Sequence, residues 1–189
     1  MAIARHPGGG MLKISITIET AMDAQHAAAF YELYLDAFGP LRTRAAARQV
    51  LHRDEFFTEM GDERVWKYVA WNEDGEAIGL STLTQALETV PWISPDYFRH
   101  RFPDHAARDA IYYLGFVLAH PNTERRRVFE EMLLAWRERL IADRAICAWD
   151  MCAYNRDIGF GDRIENLLRP YDVEVVGLDS QTYYATQYV

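Results

Sequence analysis

The hydrophobic pattern changes its period several times along the chain, and these changes predict a mixed set of strands and helices. Alternating apolar and polar positions, or short continuous apolar runs, are typical of strands. Seven segments have such a pattern: 12–18, 65–71, 77–83, 111–119, 145–154, 173–176 and 183–189. The sequence Asn-Glu-Asp-Gly-Glu at 72–76 separates the second and third of them, which predicts a hairpin turn there.

Apolar residues three and four positions apart predict four helices between these strands. One carries Phe30, Tyr34 and Phe38 and is ended by Gly39-Pro40, and the others cover about 43–60, 123–140 and 160–168. The aromatic segment 88–108, called the excursion below, is interrupted by X-Pro steps and is expected to be ordered. The element order predicts an α/β fold of the α+β type, in which helices flank one central mixed sheet.

Nothing in the pattern marks a second domain or an internal repeat. A chain of 189 residues that is 50% hydrophobic can bury roughly 70% of its unfolded surface. We therefore expect one domain over 11–189, preceded by a flexible tail over 1–10 that ends in three glycines.

The segment from Tyr112 to Trp136 is the most informative part of the sequence. Residues 111–119 are almost continuously apolar, as in a strand buried on both faces, and a short turn and an amphipathic helix follow. A strand, turn and helix in this order direct backbone N–H groups toward a bound phosphate. The turn contains no glycine, whereas glycines let the backbone approach a phosphate closely.

With this segment the chain resembles the GNAT superfamily of acyl-coenzyme A-dependent N-acyltransferases. Leu118-Ala119-His120-Pro121 is similar to the corner that ends the fourth strand of that family. The family's Arg/Gln-x-x-Gly-x-Gly/Ala signature then falls on Glu124-Arg-Arg-Arg-Val-Phe129, where every diagnostic position is changed. The resemblance covers 12–189 in element order and is strongest over 112–171.

The resemblance implies acetyl-CoA or another acyl-CoA as cofactor. It places backbone N–H groups around Leu118 and Ala119 at the acyl carbonyl, where the fourth and fifth strands separate. Its pyrophosphate contacts fall on the first turn of the helix, where Arg125, Arg126 and Arg127 would replace the glycine loop with bidentate contacts. The alternative is that these arginines form an ordinary solvated helix turn.

Asn155 falls where many members of the family have an Asn that contacts the cofactor, although it would equally cap a helix or turn. The family's general acid, a Tyr, falls on Leu168. Tyr171 and Tyr154 are the neighbouring tyrosines that would substitute for it.

Two further residues are candidates for the general base. Asp150 interrupts a predicted apolar strand, where burial would raise the pKa of its carboxyl group and suit it to act as a base or a substrate anchor. A buried carboxylate paired with an arginine or with backbone amides is the alternative reading. His120 lies at the predicted strand end and would serve as a base, or simply as a turn residue beside Pro121.

The excursion is expected to shape the acceptor pocket. Its aromatic residues would form a wall for a bulky or cationic acceptor, or would cover the sheet as ordinary core. These residues are Trp92, Tyr97, Phe98 and Phe102.

Composition and charge exclude some classes of function. The net charge of −8 argues against a nucleic-acid binder, no apolar run approaches the ~20 residues of a membrane span, and no metal-ligand spacing occurs. Cys147 and Cys152 lie on opposite faces of a predicted strand and cannot easily pair. We therefore expect a cytoplasmic protein without metal that acts on a small-molecule amine, with a homodimer left open.

Three functions remain open from the sequence. The leading hypothesis is an acyl-CoA-dependent N-acyltransferase acting on an amine of a small molecule or peptide. The second is an acyltransferase whose donor is bound to an acidic carrier protein, recognised by the arginines at 125–127. The third is a catalytically inactive binding or sensor module that keeps the fold, with Phe129 filling the cleft between the strands.

Overall fold

The computed structural model describes residues 13–121, 123–171 and 173–188. The predicted tail over 1–10 lies outside these ranges. Two compact units can be distinguished: a first unit of Met1–Asp23 with Glu59–Ala148, and a second unit of Ala24–Thr58 with Trp149–Val189. Within the described ranges, no helix is both long and apolar enough to cross a bilayer.

The first unit contains a mixed five-stranded sheet in the order β1-β2-β3-β4-β5. Its strands are β1 Ser15–Glu19, β2 Val65–Trp71, β3 Ala77–Thr84, β4 Ile111–Ala119 and β5 Ile146–Ala148. β1 to β4 pair antiparallel with their neighbours, and β4 and β5 pair parallel. This arrangement confirms the predicted mixed sheet, and the bounds of β4 agree with the predicted strand.

Among its described residues, this unit contains the α-helices α3 Pro95–Arg101, α4 Pro103–Ala106 and α5 Arg125–Ala142, together with the end of α2 Arg53–Gly61. α5 packs on one face of the sheet through Val128, Met132 and Trp136, which are at most 3% exposed. The Trp136 indole donates to Ser81 Oγ on β3 at 3.0 Å. A buried indole N–H needs such a partner, so this bond fixes the helix on the sheet.

Gly79 on β3 permits the close packing of α5. A Cβ atom at this position would lie 2.6 Å from Val128 Cγ1 and 2.7 Å from Met132 Cε. Since real Cβ atoms do not approach carbon this closely, any larger residue would push the helix away from the sheet.

The two parallel strands begin at corners of the same form. Asp109 before β4 and Arg144 before β5 have positive φ angles of 52° and 46°. At each corner the next amide donates to the carbonyl five positions back, at 2.9 Å for Ala110 and 2.8 Å for Ala145. A left-handed residue with this six-to-one bond is the Schellman ending of a helix, here made without glycine.

The two corners also have almost the same sequence, Ala-Arg-Asp-Ala-Ile at 107–111 and Ala-Asp-Arg-Ala-Ile at 142–146. The Arg108 guanidinium joins them by donating to the carbonyl oxygens of Asp143 at 2.9 Å and Arg144 at 3.1 Å. These carbonyls follow the last turn of α5, where a positive charge is favourable.

The second unit contains α1 Ala24–Phe38, the first turns of α2, α6 Ala153–Asp157 and α7 Phe160–Leu168. Its core is aromatic: the Phe56 ring lies 5.2 Å from the rings of both Tyr31 and Tyr34. The Tyr34 hydroxyl accepts the Leu51 amide at 3.0 Å, so this buried phenol is paired. The predicted helices through Phe38 and over 160–168 are confirmed.

The predicted helix over 43–60 is wrong in its first half. A 3₁₀ turn covers Gly39–Thr43, and α2 begins only at Arg53. The reason lies at His52, whose N–H donates to the Glu55 carboxylate at 2.7 Å. A glutamate in the first turn that reaches back to the preceding amide marks a helix start, and this signal overrides the preceding pattern.

Three predicted strands are also corrected. The predicted strand over 145–154 is short, because only Ile146–Ala148 pair with β4 and the chain enters α6 after Cys152. Neither of the predicted strands over 173–176 and 183–189 forms within 173–188, and Val189 lies outside the described residues. Alternation supplies strand propensity, but a strand also needs a partner ladder. The Tyr184 and Tyr188 side chains are 92% and 94% exposed.

Candidate functional site

The candidate site of the first unit begins where β4 and β5 separate. The two strands pair only at Ile111, Tyr112 and Tyr113, whereas β4 continues to Ala119. Beyond that point, Leu114 and Val117–Ala119 pair with β3 on one edge, and the register is irregular at Gly115 and Phe116. Among the described residues, no strand pairs with the opposite edge of β4 after Tyr113, so the backbone groups there are candidates for contact with a ligand.

The direction of the amides along this edge follows from one hydrogen bond. The His120 N–H donates to Ile78 O on β3 at 2.8 Å, in the same register that pairs Gly79 with Ala119 and Leu80 with Leu118. Because hydrogen-bonded and non-bonded pairs alternate in an antiparallel ladder, the Leu118 amide faces β3 and the Ala119 amide faces the open edge. Of the two predicted oxyanion donors, Ala119 therefore has the suitable direction.

His120 itself lies in the turn that follows β4 and is partly buried. Its carbonyl oxygen accepts the Thr123 amide at 3.1 Å and the Thr123 hydroxyl at 2.7 Å. The backbone of His120 thus closes the turn, as expected for the alternative reading. A role of its imidazole as a base stays a prediction.

The first turn of α5 differs from an open phosphate-binding loop. The amides of Arg125, Arg127 and Val128 already donate to the carbonyl oxygens of Thr123 and Glu124, at 2.8 to 3.1 Å. Glu124 precedes the helix at the N-cap position. Its side chain makes no cap hydrogen bond, and its negative charge near the positive end of the helix dipole disfavours an anion there.

The three predicted phosphate contacts differ in their surroundings. Arg125 and Arg126 are exposed and Arg127 is partly buried. Arg126 Nε donates to Glu130 Oε1 at 2.8 Å, an exposed pair one helical turn apart that contributes little to stability. Exposed guanidinium groups can turn toward a phosphate at small cost, so the charge needed for a modified cofactor site is present.

Phe129, at the last position of the changed signature, is partly buried and packs edge-on against Trp136 with ring centroids 6.0 Å apart. It therefore continues the helix stripe, as its spacing predicts. This contact supports a structural role for the ring and does not by itself support a plugged cleft.

Three predicted site residues lie in the second unit. Asp150 is exposed and follows β5, so the predicted burial of its carboxyl group in a strand is wrong. Asn155 is the third residue of α6, whose N-cap is Cys152, so it does not cap the helix. Tyr171 ends a 3₁₀ turn over Arg169–Tyr171 and is partly buried. Their chemical roles stay predictions.

Tyr154, the other tyrosine considered as an acid, is held by an arginine of the same unit. The Arg44 guanidinium donates to the Tyr154 hydroxyl at 2.9 Å and lies 4.9 Å from the ring centroid. The hydroxyl can still donate its own proton, and it does so beside a positive charge.

The aromatic residues of the excursion divide into two groups. Phe98 and Phe102 pack against the buried cluster of Leu87, Ile111 and Tyr113, as ordinary core. Trp92 and Tyr97 remain 41% and 39% exposed. Only these two are available for the predicted wall of an acceptor pocket.

A second group of polar residues, Lys67 on β2 and Glu59 near the end of α2, was missed from the sequence. Lys67 on β2 is fully buried, and its ammonium donates to the carbonyl oxygens of Thr20 at 2.9 Å and Asp62 at 2.7 Å. Burial lowers the pKa of Lys67 to about 8, against the attraction of Glu59 and Asp62. A lysine inside a strand pattern was the available signal.

Glu59, near the end of α2, is the carboxyl group of this cluster. Burial raises the pKa of Glu59 to about 6, although the Thr82 hydroxyl and the Lys67 charge favour the ionised form. The Thr82 hydroxyl is close enough to the Glu59 carboxyl group to favour its ionised form. Within the described part of the chain, however, this hydroxyl makes no hydrogen bond of ordinary geometry. A carboxyl group with a raised pKa beside a polar cavity is typical of functional sites.

No cluster of three or more His, Cys, Asp or Glu side chains in the described ranges is arranged to hold a metal ion. Cys147 and Cys152 are both free. Burial raises the pKa of the Cys147 thiol to about 12, so this thiol stays protonated at neutral pH.

Comparison with known proteins gives matches in structure only. No family model matches the sequence, and no curated protein matches it either. An aminoglycoside acetyltransferase from an uncultured soil metagenomic sample, solved with sisomicin, aligns at a TM-score of 0.52 and 10% identity, over 92% of this chain and 97% of its own. A probable acetyltransferase aligns at a TM-score of 0.56 and 9% identity, over 92% and 99%.

The acetyltransferase AAC(6')-Iy, solved with a bisubstrate analogue that contains coenzyme A, aligns at a TM-score of 0.53 and 12% identity, over 93% of this chain and 99% of its own. At such identities the likeness concerns the fold alone. The mixed sheet flanked by helices is therefore the fold of the GNAT acetyltransferases.

Proposed function

We propose that the protein is an acyl-CoA-dependent N-acyltransferase that transfers an acyl group, with acetyl as the first candidate, to an amine. The observation that carries the proposal is the early end of the β4–β5 ladder at Tyr113, beyond which the Ala119 amide faces the open edge. An amide fixed in a strand can donate to a developing oxyanion without reorganising, which is the main electrostatic requirement of acyl transfer.

The residues of the site fit acyl-CoA in part. When bound, it supplies the thioester carbonyl that the amine attacks. The Ala119 amide is suited to that carbonyl, and Arg125, Arg126 and Arg127 would hold the phosphates through their side chains. The occupied amides of the α5 turn favour these side-chain contacts over the backbone contacts of a glycine loop. We retain Asn155 as a further candidate contact, and His120, Asp150 and Tyr171 as candidates for proton transfer.

Thermal unfolding with coenzyme A and with pantetheine tests this proposal. Coenzyme A at millimolar concentration should raise the melting temperature of the wild type, whereas pantetheine, which lacks the phosphates, should do so much less. Reversing two charges, Arg125→Glu with Arg126→Glu, should remove most of the difference. The matched control Arg101→Glu changes an exposed arginine on α3 and should leave the difference unchanged. An unchanged melting temperature with coenzyme A would refute the proposal.

A second candidate is an acyltransferase that takes its acyl group from an acidic carrier protein. The occupied amides and exposed arginines of the α5 turn favour it, because a protein-bound donor needs no pyrophosphate site there. This candidate requires that the same double charge reversal abolish turnover with an acyl carrier while pantetheine-linked donors remain substrates. Full turnover by the charge-reversed protein would count against it.

A further inference from the structure

A polar cleft lies in the first unit at the two corners that precede β4 and β5. Its volume is about 490 Å³, which is enough for a small ligand. It is lined by Gln85, Arg108, Asp109, Ala142, Asp143 and Arg144. β4 spans nine residues, so at ~3.3 Å per residue its far end lies about 25 Å from the corners. The cleft is therefore separate from the proposed site of acyl transfer at Ala119.

Two of the residues that line the cleft have a strained backbone. Asp109 and Arg144, with φ angles of 52° and 46°, are the two residues other than glycine that have a positive φ in the part of the chain the structure describes. A left-handed conformation is unfavourable for any residue with a Cβ atom, and a glycine would avoid that cost at either position. Strained residues of this kind cluster at ligand-binding sites. An aspartate and an arginine in place of glycine thus point to a use of their charged side chains.

The side chains of Asp109 and Arg144 have opposite charges and are both exposed. Neither forms a hydrogen bond or an ion pair with any residue of 13–121, 123–171 and 173–188. The two residues also lie close together. The Ile146 amide donates to Ala110 O at 2.9 Å, so the β4–β5 ladder begins one residue after Asp109. Positions matched across such a ladder are about 5 Å apart, and Asp109 and Arg144 are matched in this way.

Other polar groups of the cleft are bound within the protein. The Arg108 guanidinium donates to the carbonyl oxygens of Asp143 at 2.9 Å and Arg144 at 3.1 Å. The Asp143 carboxylate accepts the Tyr112 hydroxyl. These hydrogen bonds fix the two corners and leave the charges of Asp109 and Arg144 for a ligand.

We propose that this cleft is a second binding site, which takes a free α-amino acid as its zwitterion. The Arg144 guanidinium binds the carboxylate of the ligand through two parallel hydrogen bonds, and the Asp109 carboxylate accepts hydrogen bonds from its ammonium group. A simple anion or cation would leave one of the two charges without a partner. In an α-amino acid both charged groups are attached to one carbon atom, which suits the short separation of the corners. This site goes beyond the proposed acyl transfer and does not depend on it.

Titration of the ¹⁵N-labelled wild-type protein with L-alanine tests the proposal by NMR. The backbone amides of Ala110 and Ala145 directly follow the two strained residues and report on the cleft. L-alanine at up to tens of millimolar should shift both signals to saturation. Ethylamine lacks the carboxylate and propionate lacks the ammonium group, so each should bind at least tenfold more weakly. Binding of either compound as tightly as L-alanine, or no saturating shift with L-alanine, would overturn the proposal.

Two variants remove the charges one at a time. Asp109→Asn and Arg144→Asn keep the corner conformation, because asparagine tolerates a left-handed backbone. Each should weaken L-alanine binding at least tenfold. The matched controls Asp104→Asn and Arg101→Asn change exposed residues of α4 and α3 and should bind L-alanine as the wild type does. An affinity for L-alanine in either corner variant equal to that of its control would overturn the proposal.

Coenzyme A distinguishes this site from that of acyl transfer. L-alanine should bind with the same affinity in the presence and absence of millimolar coenzyme A, because the corners and Ala119 lie at opposite ends of β4. Displacement of L-alanine by coenzyme A would overturn the placement of the ligand at the corners. A wild type that coenzyme A does not stabilise refutes the acyl transfer alone, and the titration with L-alanine still decides the amino acid site.

Discussion

At the scale of single residues, the clearest features are side chains whose positions contradict their usual preference. Arg144 and Asp109 have left-handed backbone conformations that favour glycine. Lys67 is a fully buried cation in a strand. Such residues store unfavourable free energy that the rest of the fold offsets. The sequence indicates Lys67 by its place in an apolar run, whereas nothing in a single sequence indicates a positive φ at an Arg or an Asp.

Arg144→Gly should stabilise the protein. Relief of the left-handed strain of about 1–2 kcal/mol exceeds the entropy cost of glycine, which leaves a gain of about 0.5–1 kcal/mol in the free energy of unfolding. Urea denaturation measures this gain. The control is Ala142→Gly, at the last residue of α5, which should lose about 0.5–1 kcal/mol. A loss of stability in Arg144→Gly would show that the side chain outweighs the strain.

Lys67 predicts a rise of stability with pH in the alkaline range. Its pKa is about 8 in the folded state and about 10.5 in the unfolded state, so between these values the unfolded chain binds more protons. The penalty for the buried charge is full below pH 8 and disappears toward pH 10.5. The difference in unfolding free energy between wild type and Lys67→Met should therefore grow from pH 7.5 to 9.5 in favour of the wild type.

Urea titrations at pH 7.5, 8.5 and 9.5 measure that difference. Lys13→Met is the matched control, because Lys13 is exposed and is the one other lysine of the sequence. It should show no such trend. A pH-independent difference for Lys67→Met would mean that the lysine is charged and hydrated in the folded protein.

At the scale of elements, the periodic pattern located most of the sheet and the long helix α5, but it missed the short helix α6, which it assigned to the end of a strand. The hairpin of β2 and β3, the strand β4 and the helix α5 follow directly from apolar spacing. The length of β5 did not follow, because pairing with β4 ends at Tyr113 for reasons outside the local sequence. The candidate residues Ala119 and His120 were identified through a motif, whereas Glu59 has no local signature at all.

Gly79→Ala should separate α5 from the sheet. Its Cβ would overlap Val128 and Met132, and overpacking of this kind costs about 1–3 kcal/mol. Thermal or urea unfolding gives the loss, and Gly61→Ala is the control because a Cβ there meets nothing within 4 Å. A loss in the double variant with Met132→Ala that is smaller than the sum of the two single losses would confirm the cause. Equal stabilities of the two glycine variants would contradict the close contact.

Arg108→Ala should weaken the joint between the two corners. Two hydrogen bonds to carbonyl oxygens of Asp143 and Arg144 are lost, and because the arginine is exposed we expect a cost of about 1 kcal/mol. Hydrogen exchange at the Ile146 amide, which donates to Ala110 O at 2.9 Å, should become faster than in the wild type. Unchanged exchange there would show that α5 holds β5 without the arginine.

At the scale of the whole molecule, the segment 173–188 is where the hydrophobic pattern and the structure disagree. Its sequence alternates as a strand does, yet it forms no strand and its last aromatic residues are exposed. Deletion of 180–189 should change the melting temperature by less than about 2 °C, as surface changes do. A fall of many degrees would mean that the segment pairs with a partner ladder, as its alternation suggests.

The twin corners at Asp109 and Arg144 have a consequence for how the site tolerates change in length. Each corner lies two positions before the first residue of the parallel ladder, Ile111 or Ile146. The two corners therefore set the register in which β4 and β5 pair. Insertions in the excursion or within α5 come before the corners, so they leave the register unchanged and the strands still separate after Tyr113. One added residue between Asp109 and Gly115 would instead move the opening and turn every following side chain to the opposite face. The proposed acyl transfer therefore requires that the stretch between Asp109 and Gly115 keep its length.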